Sequence, residues 1–265
     1  MKGKIIMLSI ITFNLRYHNL EDGKNAFMCR AKSIFRSLAD EKPDLIGFQE
    51  MTDEMLPVMR SGMPDYTFVG HGREADLSGE HTCIAFRTDR FILNFLRTFW
   101  LSPSPDEPGS KFEGQNRIPR ICTCAMLEYI PYKIQIAHYN THLDHMSAEI
   151  RKLELDLILN YIADNRTTKC HHVLFTGDFN MTPDEPQYKD IMQFDRLPLA
   201  EVTQEILSTF HDFGRIKPKK IDYIFTDTLT AQGIKSAKAI HKEKDGVYLS
   251  DHDAIRVDLE LKKEH

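Results

Sequence analysis

The sequence C-H-H-V-L-F-T-G-D-F-N, from Cys170 to Asn180, combines a short apolar run with a polar ending. Residues 173–175 are β-branched, aliphatic and aromatic, and the run stops just before Gly177, which predicts a buried strand that leads into a turn. Asp178 and Asn180 lie two positions apart, so strand alternation predicts that their side chains point to one side. Gly177 permits a turn and the close approach of a ligand. Taken alone, Asp178 and Asn180 can equally cap the next turn.

Polar residues also stand at one end of four other predicted strands. In chain order they are Asn14 after residues 5–13, Glu50 after residues 45–49, N-T-H-L-D-H at residues 140–145, and S-D-H-D at residues 250–253. Side chains of these types bind metal ions or phosphate. Ligands in layered α/β folds collect at strand ends and on the loops that follow. The recurrence therefore predicts one site assembled from all five strand ends.

The order of the motifs resembles the endonuclease/exonuclease/phosphatase superfamily, and the resemblance spans about residues 5–261. The motifs are T-F-N with Asn14, Q-E with Glu50, N-T-H-L-D with His142, G-D-F-N with Asp178 and Asn180, I-D-Y-I-F with Asp222, and S-D-H with Asp251 and His252. The superfamily includes deoxyribonuclease-I-like nucleases, abasic-site endonucleases, deadenylases, neutral sphingomyelinases and inositol-polyphosphate 5-phosphatases. Within it, the chain resembles most a compact bacterial branch with deadenylase-like relatives.

The resemblance and the alternation of elements predict an α+β fold with two packed β-sheets flanked by helices. This is a four-layer α/β sandwich of the deoxyribonuclease-I-like type. Helices are predicted at residues 26–41, 52–60, 146–165 and 182–194, a turn at residues 229–233, and a long surface loop at residues 102–115, while residues 197–213 stay unassigned. No linker or repeat divides the chain, so we expect residues 1–265 to form a single domain.

Composition limits the partners and the compartment. The net charge is -5, which gives no general electrostatic attraction to nucleic acid. None of the five cysteines forms a C-x-x-C pair, so neither a disulfide framework nor a zinc site is indicated. The apolar run at residues 5–11 is short and lacks a cleavage site, and no stretch approaches the roughly 20 apolar residues of a membrane span. We expect a cytoplasmic monomer without membrane contact.

Hydrolysis of a phosphate ester needs charge stabilisation at the phosphoryl oxygens, which Mg²⁺, or Mn²⁺ in its place, supplies. Such hard cations prefer oxygen ligands. Glu50 is the main candidate ligand, because a glutamate at the end of a buried strand must be paired, hydrogen-bonded or bound to metal. The alternative for Glu50 is a salt bridge to Arg16 or Lys42. Asn14 and Asp251 are secondary metal-ligand candidates.

The candidate catalytic residues come from the later motifs. Asp178 is expected to orient or deprotonate the attacking water, and Asn180 to hold that water or a phosphoryl oxygen. The resemblance implies that Asp222 orients His252, which contacts the phosphate or acts as a general base. An isolated histidine such as His252 can also be a surface residue at a strand end. His142 is a candidate for phosphate binding or for protonation of the leaving group.

Two arginines are candidates for substrate binding. Arg16 and Arg120 can bind phosphate bidentately, although arginine is also common on surfaces. His145 is interpreted as part of a helix start. The remaining histidines, His171 and His172 included, are interpreted as surface residues.

The substrate is the least determined property, because substrate choice lies in loops. Deoxyribonuclease-I-like enzymes carry an arginine two residues after the glutamate, where this chain has Thr52. Abasic-site endonucleases carry an aspartate two residues after the first asparagine, where this chain has Arg16. Neither duplex-binding pattern is therefore matched.

Three functional hypotheses follow. The first is a divalent-metal-dependent phosphodiesterase for single-stranded RNA or a nucleotide, of the 3′-5′ exonuclease or deadenylase-like kind. The second is a phosphatase or phosphodiesterase for a small phosphorylated metabolite, an inositol phosphate or a phospholipid headgroup. The third is a binding protein that keeps the fold without catalysis. In either enzyme, the loop at residues 102–115 is expected to fold over the site and govern substrate choice, and long duplex DNA is not expected as a substrate.

Overall fold

The structure, a computed structural model, describes residues 5–165 and 172–262. Cys170 and His171 lie outside the described residues. The strands are β1 (Ile5–Asn14), β2 (Leu45–Gln49), β3 (Tyr66–Val69), β4 (Ile84–Arg87), β5 (Phe91–Trp100), β6 (Ile121–Tyr129), β7 (Ile134–His142), β8 (His172–Asp178), β9 (Leu199–Glu201), β10 (Asp222–Asp227), β11 (Ile234–Ile240), β12 (Glu243–Lys244), β13 (Val247–Tyr248) and β14 (Ala254–Lys262). The α-helices are α1 (Phe27–Glu41), α2 (Met55–Gly62), α3 (Ala148–Asn165), α4 (Pro186–Met192) and α5 (Thr228–Ala231).

Two mixed six-stranded sheets carry the fold. The first has the order β11-β14-β1-β2-β4-β3, and the second has the order β5-β6-β7-β8-β10-β9. Each sheet contains one parallel pair, β1 with β2 and β7 with β8, among antiparallel neighbours. Strands β12 and β13 form a separate hairpin. The two sheets with their flanking helices confirm the predicted α+β sandwich.

Three apolar clusters separate four layers. The cluster between the sheets contains Leu8 and Ile224. A second cluster packs α1 and α2 against the outer face of the first sheet, with Ile34 as a member. The third packs α3 and α4 against the outer face of the second sheet and includes Ile158 and Ile191. Each helix pair therefore buries an apolar side on one outer sheet face.

The face of each central strand that points between the sheets changes from apolar to polar along the strand. In β1, Ile10 belongs to the cluster between the sheets, and Thr12 and Asn14 follow on the same face by alternation. In β8, Leu174 lies in that cluster and is followed on the same face by Thr176 and Asp178. The sandwich therefore has an apolar interior that ends in polar groups at one edge.

A layer of buried polar side chains joins the two sheets by hydrogen bonds next to that edge. Asn140 Nδ2 donates to Phe48 O at 2.8 Å, and Asn140 Oδ1 accepts from Gln49 Nε2 at 2.7 Å and from Thr176 Oγ1 at 3.0 Å. The sheets approach so closely here that a Cβ atom on Gly47 would lie 2.3 Å from Thr176 Oγ1. Only glycine therefore fits at position 47. The hydrogen bonds of this layer fix the position of one sheet relative to the other.

Several element bounds differ from the prediction. Helix α3 begins at Ala148 because Ser147 caps it, with its Oγ accepting a hydrogen bond from Ile150 N at 3.3 Å. The unassigned residues 197–213 contain β9 and the start of a short 3₁₀ helix, Asp212–Gly214. Helix α5 replaces the turn predicted at residues 229–233.

The surface interpretation of the remaining histidines is wrong for several of them. His172 is buried and its Nδ1 lies 2.7 Å from Thr230 Oγ1. His138 is fully buried between the sheets, with Nε2 at 2.9 Å from Thr176 Oγ1. His211 is buried against Asp253. Their sequence neighbours gave no sign of this burial, because histidine is common both inside and outside proteins.

Two further observations concern membrane-spanning helices and disulfides. Within residues 5–165 and 172–262, no helix is long and apolar enough to cross a membrane. Cys29, Cys83 and Cys122 are free thiols, so no disulfide joins any of these three.

Candidate active site

Strand register places three predicted residues side by side at the polar edge of the second sheet. His142 pairs with Asp178 across the parallel β7–β8 ladder, and Asp178 pairs with Asp222 across the antiparallel β8–β10 ladder. All three side chains are buried. The strand register therefore places a carboxylate between an imidazole and a second carboxylate.

The first sheet contributes an amide that joins the two sheets at this edge. Asn14 Nδ2 donates to Asp178 Oδ2 and to Glu50 Oε1, each at 3.0 Å. Glu50 Oε2 accepts from Tyr17 N at 3.0 Å. The alternative interpretation of Glu50 is not met. Arg16 forms its salt bridges with Asp22 and Asp251, and among the described residues no salt bridge joins Glu50 to Arg16 or to Lys42. Glu50 is held by neutral donors, which leaves its negative charge available to a cation.

Three residues that follow strand ends adopt the left-handed backbone conformation. The φ angles of Arg16, Glu50 and Asn180 are 53°, 58° and 49°. For residues other than glycine, such angles cost about 1–3 kcal/mol each and are concentrated at functional sites. Each strand is thereby turned sharply, which aims the following side chains at the space between the sheets.

Strand alternation was predicted to bring Asn180 to the site, but the left-handed turn brings it there instead. Strand β8 ends at Asp178, and Asn180 N donates back to Asp178 Oδ1 at 2.9 Å. Asn180 Nδ2 donates to Leu143 O at 2.9 Å. The amide is thus anchored, and its side chain still faces the same cavity as Asp178.

The turn before β14 supplies His252. Its Nδ1 lies 2.8 Å from Asp222 Oδ2, and its Nε2 lies 3.7 Å from Asp178 Oδ2. Burial opposes a charge on the ring, but the carboxylates of Asp222, Asp178 and Asp251 outweigh it and raise the pKa of His252 to about 10. His252 is therefore a buried imidazolium at neutral pH, oriented by Asp222.

The two histidines beside Asp178 differ in charge. His142 Nε2 lies 3.7 Å from Asp178 Oδ2, and His142 Nδ1 lies 4.0 Å from Glu80 Oε2. Burial, assisted by the positive charge of Arg120, holds the pKa of His142 well below its usual range. Burial raises the pKa of Asp178 to about 7, and the neighbouring Asp222 charge adds to that rise. Asp178 can therefore exchange a proton near neutral pH.

Arg16 is less available than predicted. Its Nε donates to Asp22 Oδ2 at 3.0 Å and its Nη2 to Asp22 Oδ1 at 3.4 Å, while Nε lies 3.8 Å from Asp251 Oδ2. The guanidinium fork is therefore directed at Asp22, although the side chain lines the cavity. A bidentate contact of Arg16 with phosphate would require release of Asp22.

Arg120 is better placed to receive an anion. It is only 3% exposed, and its Nε and Nη1 have no hydrogen-bond partner among the described residues. Its Nη2 lies 3.0 Å from His145 Nδ1, so His145, interpreted earlier as part of a helix start, also belongs to the site. Unpaired buried donors are costly and mark a position where a ligand completes the hydrogen bonds.

Four site residues lie in loops and had not been predicted. Between β3 and β4, Arg73 Nη1 and Nη2 each donate to the Glu80 carboxylate at 2.7 Å. Before β10, the ring of Phe210 lies 4.7 Å from that of His252, and Lys219 Nζ lies 5.5 Å from the Phe210 ring centroid. Their only signal in the sequence is the spacing of opposite charges from Arg73 to Glu80, which is also common on surfaces.

These groups enclose a cavity of about 410 Å³. All predicted site residues line it except Asn14 and Asp222, which lie behind it and act on Asp178 and His252. No residue of the loop at 102–115 lines it, so the prediction that this loop folds over the site is wrong. The loop instead supports the wall, where a Cβ on Gly109 would lie 3.0 Å from Ala75 Cβ.

The donor set suits a hard divalent cation. Glu50 and Asp251 line the cavity and provide oxygen ligands, which Mg²⁺ and Mn²⁺ prefer. Asn14, the third predicted ligand, lies behind the cavity, and its Oδ1 already accepts a hydrogen bond from Arg16 N at 2.9 Å. Burial raises the pKa of Asp251, and the charge of Glu50 adds to this rise against the opposing effect of His252. A cation between Glu50 and Asp251 would relieve their repulsion. Asp178, Asp222 and His252 are also close enough to share an ion, but the imidazolium already balances their charge.

Comparisons with known proteins agree with this geometry. The sequence pattern of the "Endonuclease/Exonuclease/phosphatase family" matches residues 11–252. No curated protein matches the chain. An endonuclease/exonuclease/phosphatase structure from Bacteroides vulgatus has 29% identity and a TM-score of 0.89, covering 97% of this chain and 100% of its own. These findings confirm the resemblance and the fold predicted from the motifs.

More distant solved structures share the fold. A mannosyl-6-phosphatase from Bacteroides thetaiotaomicron has 24% identity and a TM-score of 0.82, with 94% of this chain and 98% of that chain covered. The human Nocturnin catalytic domain has 17% identity and a TM-score of 0.71, with 99% and 97% covered. At these identities the likeness concerns the fold.

Proposed function

Because the chain belongs to the endonuclease/exonuclease/phosphatase family, a family of metal-dependent phosphoesterases, we propose that it hydrolyses phosphate esters with a divalent metal ion. The observation that carries this proposal is the position of Asp178, which lies within 3.7 Å of His142 and His252 and accepts a hydrogen bond from Asn14. A proton acceptor, an imidazolium and a neutral imidazole then face one cavity. Hydrolysis of a phosphate ester uses these groups.

The protein groups divide the reaction between them. Asp178 accepts the proton of the attacking water, and Asn180 holds that water or a phosphoryl oxygen. His252, kept charged and oriented by Asp222, donates to a phosphoryl oxygen, and His142 faces the leaving oxygen. The free N–H groups of Arg120 bind a second phosphoryl oxygen. Glu50 and Asp251 would hold Mg²⁺ or Mn²⁺, which would supply further positive charge at the phosphoryl group.

We propose that the substrate presents a single phosphate group, at the end of a single strand of RNA or in a nucleotide. The cavity of about 410 Å³ and the net charge of -5 support a short ligand over long duplex DNA. Binding to a duplex neutralises several phosphates and needs a row of cations. Among the described residues that line this cavity, Arg120 and Lys219 are the basic side chains without a salt bridge, since Arg16 and Arg73 are paired with carboxylates.

A phosphomonoester of a small hydroxylated metabolite is the second candidate. The Arg73–Glu80 pair offers both donors and acceptors to hydroxyl groups at the cavity wall, which supports this substrate class. A mannosyl-6-phosphatase shares the fold, although a likeness at 24% identity does not carry its substrate over.

The proposal is tested with an activated phosphodiester and an activated phosphomonoester, each assayed with Mg²⁺, with Mn²⁺ and in EDTA. We expect metal-dependent hydrolysis that EDTA abolishes and added Mg²⁺ restores. The ratio of the two rates assigns diester or monoester preference. Undiminished hydrolysis in EDTA, with no metal retained, would contradict the metal dependence, and absence of hydrolysis of every phosphate ester would leave the binding-protein hypothesis.

We also propose that the protein acts as a single-domain monomer in the cytoplasm. The free thiols of Cys29, Cys83 and Cys122 support a reducing compartment. Sedimentation of the purified protein at about 31 kDa would agree with a monomer of 30.8 kDa, and a dimer mass would contradict it.

A further inference from the structure

A second cavity, of about 510 Å³, lies outside the candidate active site. It is a groove between α1 and the segment that joins β11 to β14. Its lining residues are Ser33, Arg36, Ser37, His241, Lys242, Glu243, Lys244, Val247 and Leu249. The groove adjoins the active-site turn, because His241 Nδ1 lies 2.7 Å from Asp253 Oδ1, one residue after His252.

The groove is positive on a protein of net charge -5. Arg36, Lys242 and Lys244 are exposed cations in its lining, and Glu243 is its one carboxylate. Lys242 is already paired with Asp40, whose Oδ2 lies 3.4 Å from its Nζ, so the positive charge of the groove rests on Arg36 and Lys244. The Glu243 carboxylate is turned to its own hairpin, where it accepts a hydrogen bond from Gly246 N. Within residues 5–165 and 172–262, Arg36 and Lys244 form no salt bridge. Unpaired like charges around one groove create a local positive potential that an anion relieves.

Both walls of the groove are fixed in place. The hairpin β12–β13 is tied to the turn before α1, where Lys24 Nζ donates to Asp245 O at 2.7 Å and Tyr248 N donates to Asn25 Oδ1 at 3.0 Å. The other wall is α1, whose Ile34 packs in one apolar cluster with Leu249. A groove whose walls are already ordered loses little conformational entropy when a ligand binds.

We propose that this groove is a second anion site, which binds a phosphate group of an organic molecule. Arg36 offers a planar fork for phosphate oxygens, and Lys244 offers a mobile point charge. Val247 and Leu249 give the organic part an apolar contact. The volume lies within the range of sites for small ligands. The phosphate can belong to a separate small ligand or to a distal part of a strand whose end occupies the active site.

Binding is measured by calorimetry with tripolyphosphate in EDTA, so that no hydrolysis is needed. We expect R36E/K244E to weaken the binding at this groove by about 10-fold or more. The matched control K133E/K189E changes the net charge equally at exposed positions elsewhere and should keep wild-type binding. Thermal unfolding verifies that both variants are folded. Equal binding by both variants would overturn the proposal.

Steady-state kinetics then distinguish a separate small ligand from the distal phosphates of a strand. This kinetic test rests on the proposed function. If the groove holds distal phosphates of a strand, R36E/K244E should raise KM for a ribonucleotide hexamer by about 10-fold while KM for an activated diester is unchanged. If the ligand is a separate molecule, KM for both substrates stays as in K133E/K189E while tripolyphosphate binding is still lost. Failure of all hydrolysis would refute the proposed function alone, because the calorimetric result does not depend on turnover.

Discussion

The floor and the wall of the active-site cavity are built in different ways. The floor consists of the strand-end residues Glu50, His142, Asp178 and His252, with Asn14 and Asp222 directly behind them. Ladder register and hydrogen bonds between the sheets align these residues. The wall consists of Arg73, Glu80, Phe210 and Lys219, which lie in loops. Groups that do chemistry need fixed positions, whereas groups that select a substrate can lie on segments that vary. We therefore expect substitutions in the floor to affect turnover and substitutions in the wall to affect substrate preference.

The largest effect is expected at the floor. Asp178→Asn keeps the shape of the side chain but removes its proton acceptor, and His252→Gln removes the imidazolium. Each should lower kcat by about 10²-fold or more. The double variant should lose little more than either single variant, since both residues serve one step. Steady-state kinetics with an activated diester measure this, and the exposed Asp195→Asn serves as the control.

If substitution of Asp178 lowered kcat only modestly and substitution of Arg73 lowered it strongly, the distinction between floor and wall would be reversed. Retained near-wild-type turnover in either floor variant would remove that residue from the proposed reaction. Thermal unfolding of each variant separates a catalytic loss from a folding defect.

Sequence patterns predicted the floor because its residues end periodic apolar runs. Asn14, Glu50 and Asp178 could be located from where the runs stop. Asp222, which begins β10, was indicated by the motif I-D-Y-I-F of the family resemblance. The turn at Asn180 could not be predicted, because continuation of the strand would also have pointed the Asn180 side chain into the cavity. The pairing of Arg16 with Asp22 was equally hidden, since it depends on a left-handed residue that no local propensity indicates.

The wall could not be predicted for a related reason. Arg73 and Glu80 meet because the loop between β3 and β4 folds back on itself, and Phe210 meets His252 across more than forty residues of chain. Neither contact follows from a repeating pattern. Register and alternation extend along strands, whereas loop geometry depends on contacts between distant residues.

The boundary between floor and wall can be tested with two arginines. Arg120→Lys keeps the charge but removes the free guanidinium donors, so kcat/KM should fall by about 10-fold. Arg73→Lys should change kcat/KM for the same small ester only about 2- to 3-fold, because its fork is already occupied by Glu80. Comparing both variants on one small ester measures this. A larger effect at Arg73 would place the Arg73–Glu80 pair in direct contact with the reacting phosphate.

His138 lies in neither the floor nor the wall, so it allows an effect on stability to be separated from an effect on activity. His138 lies in the same strand as His142, buried between the sheets, and burial lowers its pKa to about 3. The unfolded chain binds a proton at about pH 6.5, whereas the folded protein stays neutral at His138 until about pH 3. The stability due to neutral His138 is therefore complete above pH 6.5 and is lost progressively as the pH falls toward 3.

His138→Gln keeps a polar group near Thr176 but cannot be protonated. Between pH 6 and pH 4, the free energy of unfolding of the wild type should fall more steeply than that of the variant, by about 1.4 kcal/mol per pH unit at most. Urea unfolding at several pH values measures the difference. Parallel pH curves would show that His138 is protonated in the folded protein, and activity at pH 8 should be similar in both proteins.

The smallest effect on chemistry is expected from the loop at residues 102–115, which contacts the segment that carries Arg73 and Glu80 but does not line the cavity. Trp100 at its start donates from Nε1 to Arg73 O at 2.6 Å, and Gly109 packs on Ala75. Replacing residues 105–112 with two glycines should therefore loosen the Arg73–Glu80 segment and leave the floor intact. We expect hydrolysis of an activated small diester to stay within about 3-fold of wild type, while preference among larger esters shifts. Asp106→Ala, which removes only the exposed salt bridge to Arg97, is the control. If the shortened loop abolished hydrolysis of the small diester while the protein stayed folded, the wall would be required to hold the floor in place, and the division between chemistry and selection would fail.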